Sequence, residues 1–357
     1  MVNNVPQGIA RIITQEEAVN TCLDYIGKRM RGEIPLYKTK FTNINNAFGG
    51  SIEPNSILTL AGISGSGKST MSTQIIYSII DNLNDEGKEG VALRFNFEML
   101  AFKTVGREFA SIAKKSVGTL YSQKEKLSDE EYERIKRYVA PKVKQKNVFY
   151  VEEPETTVGI LNTIYYYWQQ MCEIPKKKDM LFIAEIDHAL LVDGNGEEDK
   201  EKIDKLMRGF MVLKKKIARM GGFILFIVLS QLNRDIESVD RVKVPNLHRP
   251  MKKDLSSSDW MYQASDYVLV GHMPASLNLP YYTERKLPVR IMTDKIRRIE
   301  YPFIYYHLLK NRDGEGGFTC AMIGNLANFE FIEVLPEDLK RYTIESQSTE
   351  IFIDNNV

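Results

Sequence analysis

Short apolar runs alternate along most of the chain with stretches whose hydrophobic residues recur at helical spacing. Ile57 to Ala61, Gly90 to Phe97, Val148 to Val151, Met180 to Ile186 and Phe223 to Leu229 are nearly unbroken apolar segments of strand length. That pattern fits strands covered on both faces. Between them, Met71, Ile75, Ile76 and Ile79 mark one helix face, and Ile203, Leu206, Phe210, Leu213 and Ile217 mark another. Ser128 to Val139 reads as a charged helix, with Ser128 as N-cap and Glu131 completing a capping box. Gly159 to Cys172 is a helix rich in Tyr and Trp, whose spacing reads as core rather than as a base-stacking surface. Tyr267 to Val270 and Phe303 to Leu309 predict further strands. Strands alternating with helices predict an α/β fold with a mostly parallel, doubly wound sheet.

The ends and connections are less regular. Gln15 to Arg31 carries Ala18, Cys22, Ile26 and Met30 at i, i+4 spacing and is stopped by Gly32 to Pro35. This amphipathic helix either packs on its own domain or docks on a neighbouring subunit. Phe41 to Ser56 is a polar approach to the first strand, residues 235–259 a long mobile loop, and the chain from residue 324 a short irregular tail. The organisation expected is an arm and helix over residues 1–40, one main domain over 41–325 and a tail over 326–357.

Candidate chemistry begins at Gly62-Ile63-Ser64-Gly65-Ser66-Gly67-Lys68-Ser69-Thr70, which fits the phosphate-binding pattern G-x-x-x-x-G-K-[ST] between a strand and a helix. Gly62, Gly65 and Gly67 let successive backbone N–H groups converge on one phosphate, and the helix N-terminus adds partial positive charge. Lys68 would reach the β- and γ-phosphates and the Ser69 hydroxyl would bind Mg²⁺. Asp187 closes the apolar strand Met180 to Ile186, the Walker B arrangement, and is selected over Glu185 as the Mg²⁺-holding carboxylate. Glu98 follows the strand Gly90 to Phe97. It is placed either to orient a water or to serve as an acidic first-turn residue of the next helix. Ser230 to Arg234 is a polar cluster after a buried strand, placed to sense a γ-phosphate.

Composition narrows the classes. A net charge of +1 advertises no polyanion partner globally, although a local basic groove remains compatible with it. Three distant cysteines and 4 scattered histidines form no metal or redox spacing. No apolar run is long enough to span a bilayer and no signal peptide opens the chain, so a cytoplasmic location is expected.

Taken in order, these segments resemble the RecA-like ATPase half of DnaB-type replicative helicases, superfamily 4. Phe97-Glu98-Met99 with Arg107 looks like the family's F-S-L-E-M segment, and Ile186-Asp187 like its I-D-Y-L-Q-L strand end. Ser230-Gln231-Leu232-Asn233-Arg234 is identical to its S-Q-L-N-R. Arg249-Pro250-Met251 with Asp254-Leu255 looks like its R-P-x-x-x-D-L loop, Gln263 to Val268 like E-Q-D-A-D-V, and Lys310 to Gly314 matches K-x-R-x-G. The resemblance covers about residues 15–325. It implies a RecA-like P-loop NTPase using ATP and Mg²⁺, with Glu98 as general base and Gln231 as γ-phosphate sensor. It also implies that Lys310 and Arg312 act as fingers in a neighbour's site and that residues 15–31 form a domain-swapped linker helix. The implied partners are single-stranded DNA, further copies in a ring expected to be hexameric, and a primase or loader.

Three departures accompany it. The family's amino-terminal helical domain has no counterpart in this sequence, which suits a stand-alone phage or mobile-element protein. Ser256 and Asp259 stand where the family's DNA-contacting loop has Arg and Gly. Residues 271–302 form a longer insertion. The cations available to replace the missing loop charge are Arg241, Lys243, Arg249, Lys252 and Lys253. Of these, Arg249, Lys252 and Lys253 are the expected DNA contacts, against the simpler reading of a solvated loop. Alternatives to a ring helicase are a RecA/KaiC-like assembly ATPase without unwinding activity, acting as a recombination mediator or helicase loader, and a scaffold with a degenerate site. The intact Lys68, Ser69, Glu98, Asp187, Gln231 and Arg312 argue against the scaffold.

Overall fold

The computed structural model describes residues 12–343 except 35, 146, 154, 178, 190–191, 193–197, 256–258 and 295–298. The chain divides between Leu36 and Tyr37 into two units. The first contains α1 (Gln15–Met30), started by a capping box in which Thr14 accepts from the Glu17 N–H and the Glu17 carboxylate accepts from the Thr14 N–H. The apolar positions Leu23, Ile26 and Met30 on this helix are 61%, 49% and 83% exposed, and a local ion pair joins Lys28 to Asp24 at 2.8 Å.

The second unit is built on one sheet. Its elements run α2 (Thr42–Ala47), β1 (Ser56–Gly62), α3 (Lys68–Asp85), β2 (Gly90–Asn96), α4 (Ala101–Ala113), α5 (Val117–Leu120), α6 (Asp129–Gln145) and β3 (Val148–Val151). There follow α7 (Thr157–Trp168), β4 (Leu181–Asp187), α8 (Asp199–Arg219), β5 (Phe223–Gln231), α9 (Val239–Lys243), α10 (Asp259–Ala264), β6 (Tyr267–His272), β7 (Arg290–Asp294), β8 (Ile299–Asn311), β9 (Thr319–Asn325) and β10 (Glu330–Val334). Strands β3, β2, β4, β5, β1 and β6 lie side by side in parallel. An antiparallel wing of β8, β9 and β10 extends the β6 edge, and β7 pairs with β8. The expected mostly parallel α/β architecture is therefore present.

The apolar runs are buried on both faces because successive side chains alternate. In β5, Leu225, Ile227 and Leu229 enter the core shared with α3, while Ile224, Phe226 and Val228 enter the core shared with α7 and α8. Ile160, Ile164 and Trp168 of the aromatic helix α7 join that second core, as their spacing predicts. The Ser128 capping box at the start of α6 also forms, with reciprocal bonds of 2.8 and 3.2 Å to Glu131.

Several irregular segments turn out to be ordered. The polar approach to β1 contains α2. Residues 235–255 fold into short helical turns around a buried ion pair: Arg241 Nη1 lies 2.5 Å from Asp254 Oδ1. The expected mobile loop is thus anchored, and Arg241 is not available as a phosphate contact. The insertion gathers three histidines that look scattered in sequence. Tyr282 hydroxyl bonds His272 Nδ1 at 3.0 Å and His307 Nε2 at 2.8 Å, while His248 stacks on the Tyr282 ring. Among the described residues no group of three His, Cys, Asp or Glu is arranged to hold a metal. The irregular tail is also corrected: β10 pairs with β9, and Phe331 and Val334 are buried.

Candidate active site

Register brings the candidate residues to one edge of the sheet. Gly62 at the end of β1 lies opposite Gln231 at the end of β5. Asp187, ending β4, lies opposite Asn96, two residues before Glu98. Parallel strands end together, so loops far apart in sequence share the carboxyl edge of the sheet. Lys68, Ser69, Glu98, Asp187 and Gln231 all line one cleft there, of about 320 Å³. Ser64, Gly65, Gly67 and Thr70 complete its floor. Ser66 is buried beneath it, its hydroxyl donating to the Ile63 carbonyl at 2.8 Å.

The phosphate loop needs its glycines for two reasons. Gly62 is crowded: a Cβ there would meet the Gly271 carbonyl oxygen at 2.7 Å. Gly67 has φ +80°, in the left-handed region, and a Cβ would strike the Phe331 ring at 2.5 Å. Strand β10 thus supports the loop from below. Lys68 Nζ donates to the carbonyls of Gly62 and Ile63, at 3.0 and 2.9 Å. Burial pulls its ammonium below the ordinary lysine value, against the opposing pull of Asp187 and Glu98.

The two carboxylates of β4 share a face but not a role. Glu185 is fully buried and forms a charge-assisted pair with Arg94 and accepts a hydrogen bond from Ser72. Asp187, at the strand end, takes a hydrogen bond from Ser69. Burial and the neighbouring Glu185 charge push its carboxyl up to about 6, with Ser69 and Arg94 opposing. A hydroxyl and a carboxylate joined at the first turn of α3 are hard oxygen donors suited to Mg²⁺.

The pattern of the DnaB-like helicase C terminal domain family matches residues 37–329. The chain belongs to that family. Among solved structures, an ATPase domain superimposes with a TM-score of 0.69 at 16% identity, covering 90% of this chain and 99% of that one. A DnaB-like replicative helicase, solved in a study of its interactions with primase, also gives a TM-score of 0.69, at 15% identity over 90% of this chain and 69% of that chain. No curated protein sequence matches.

In this DnaB-like chain, Lys310 and Arg312 do not enter the cleft. Lys310 pairs with Val268 and Asn311 with Tyr267, at the start of β6, whereas Gly271 near its end faces Gly62. Four residues of strand, roughly 13 Å, separate the two levels. Arg312 pairs with Asp266 at 3.1 Å, and Lys310 donates to the carbonyls of Tyr262 and Gln263 at 2.7 and 2.9 Å.

The expected DNA contacts each meet an acid: Arg249 with Glu284 at 3.1 Å, Lys252 with Asp259 at 3.5 Å and Lys253 with Asp235 at 3.3 Å. Lys252 and Lys253 stay 50% and 63% exposed. The segment bearing them is stitched to the end of β5. The Asn233 N–H donates to the Asp254 carbonyl at 2.7 Å, Asn233 Nδ2 to the Lys253 carbonyl at 2.8 Å, and Leu232 bridges Leu255. Ser256 lies outside the described residues.

Sequence reasoning assigned no role to Arg107, His188, Leu326 and Phe329, which also line the cleft. Arg107 from α4 lies over the Phe329 ring, 4.9 Å from its centre. His188 sits between Asp187 and Gln231. Arg107 had a signal as part of the F-S-L-E-M resemblance, and Phe329 in the alternation Phe329-Glu330-Phe331. His188 had none beyond its place after Asp187. No helix among the described residues is long and apolar enough to cross a membrane.

Proposed function

We propose that this chain is an ATP-driven helicase that assembles as a ring, hydrolyses ATP at subunit interfaces and translocates on single-stranded DNA. The observation that carries the proposal is the split arrangement of its candidate residues. Lys68, Ser69, Glu98, Asp187 and Gln231 share one cleft, whereas Lys310 and Arg312, at the end of β8, lie beside the opposite end of β6. A single copy brings neither of these two cations to its own cleft, and a neighbouring copy would supply them.

In this reading the loop N–H groups and Lys68 bind the phosphates. Ser69 and Asp187 hold Mg²⁺, which when bound neutralises phosphate charge. Glu98, exposed at the rim, accepts the proton of the attacking water. Gln231 senses the γ-phosphate. Its state passes through Leu232 and Asn233 to the Lys252–Lys253 segment, because hydrogen bonds join them directly.

Turnover with and without single-stranded DNA, together with displacement of a forked duplex, tests the proposal, with Lys68→Ala as the inactive control. DNA-stimulated turnover with strand displacement is expected. The acids paired with Arg249, Lys252 and Lys253 favour a second reading, an assembly ATPase with a weak DNA grip. Turnover without displacement would select it.

A further inference from the structure

His188 occupies a place that no role above requires. It follows Asp187 directly, is 8% exposed and shares the cleft with Lys68, Glu98 and Gln231. Its Nε2 lies 3.2 Å from Gln231 Nε2. An amide nitrogen only donates, so the ring nitrogen it meets must accept. That requirement sets the ring as the neutral tautomer with its proton on Nδ1.

The contact has a consequence for Gln231. A carboxamide has one donating end and one accepting end, and rotation about its last bond exchanges them. Committing one N–H of Nε2 to His188 fixes which way round the amide sits, so that Oε1 and the second N–H each keep a set direction. In the reversed amide the two ends trade places: where the oxygen would accept from a water, the nitrogen would donate to a phosphate oxygen. These are different ways of reading a triphosphate.

We infer that His188 is a positioning residue for Gln231: through Nε2 it selects the amide orientation with which Gln231 meets the nucleotide. The inference rests on Gln231 acting as the γ-phosphate sensor. An aliphatic or phenyl side chain would fill the same wall of the cleft; the histidine adds an acceptor. The effect should fall on discrimination and turnover, not on the phosphate loop, because the bonds of Lys68 run to Gly62 and Ile63 and that of His188 to Gln231.

The test uses the full chain with three variants: His188→Phe, a flat ring without an acceptor; His188→Leu, a second acceptor-free variant should the first fail to fold; and His188→Gln, whose amide oxygen supplies an acceptor again. Equilibrium binding of ADP and of a slowly hydrolysed ATP analogue gives the triphosphate preference, and steady-state assays give kcat and KM. Loss of the acceptor should lower kcat and the triphosphate preference by about tenfold each, with ADP affinity unchanged, the scale of one hydrogen bond. His188→Gln should restore both. In a Gln231→Ala background the His188 variants should have no further effect. Unchanged preference and kcat in the acceptor-free variants, or effects that add to those of Gln231→Ala, would overturn the inference. So would an equal loss of ADP affinity, which would mean a damaged cleft. A wild-type chain with neither turnover nor triphosphate preference would instead refute the proposed function.

Discussion

Truncating Phe331 to alanine should destabilise the protein and weaken nucleotide binding, although the residue lies in what reads in sequence as a tail. Phe331 is 2% exposed, meets Tyr306 edge-on with ring centres 6.0 Å apart and faces Gly67 of the phosphate loop. Removing a buried Phe costs about 3–5 kcal/mol, combining lost transfer energy with the cavity left behind. Because β10 is an edge strand, partial collapse should hold the cost near the lower limit, about 3 kcal/mol. The neighbouring Ile332 is 51% exposed and points the other way, so Ile332→Ala should stay within about 0.5 kcal/mol of the parent. Thermal unfolding of both variants would show it, with the Phe331→Ala midpoint lowered on the order of 5 °C. Titration with nucleotide would then reveal the weakened loop, since Gly67 holds φ +80° against that ring. Equal melting temperatures for the two variants would refute the argument that β10 is part of the core supporting the loop.

Three further outcomes are expected. Asp187 is raised from 3.8 to about 6, so its protonated form favours the fold below that range and this contribution is lost as pH rises through about 6. Metal binding runs the opposite way, and Mg²⁺-nucleotide affinity should fall about tenfold per pH unit below about 6; titrations flat between pH 5 and 7, with metal-free ADP as control, would contradict it. Lys68→Ala should lose nucleotide binding or hydrolysis, while Glu98→Gln should bind ATP and turn over slowly; hydrolysis at the parental rate in Glu98→Gln would assign the base elsewhere. Arg312→Ala mixed with Lys68→Ala should regain part of the activity that each lacks, and no recovery despite confirmed subunit exchange would count against a finger acting in trans.

The parts of this protein legible in its sequence depend on neighbours along the chain. A strand, a glycine turn and a helix start need only a few consecutive residues, so the loop from Gly62 to Thr70, the strand ends at Glu98, Asp187 and Gln231, and the alternation of layers could be read directly. Other features depend on pairs that the fold alone brings together. Arg241 looks like a free loop cation until Asp254 meets it in a buried site, where an unpaired charge would be too costly to keep. The histidines at 248, 272 and 307 look scattered until the insertion folds Tyr282 among them. Phe331 becomes core because β9 offers a free edge and Gly67 leaves room for a ring. His188 becomes a partner of Gln231 because β4 and β5 lie side by side, with His188 just past the end of one and Gln231 closing the other. Local chemistry is written in spacing; long-range partnership depends on sheet order and register, which the spacing along one chain does not encode.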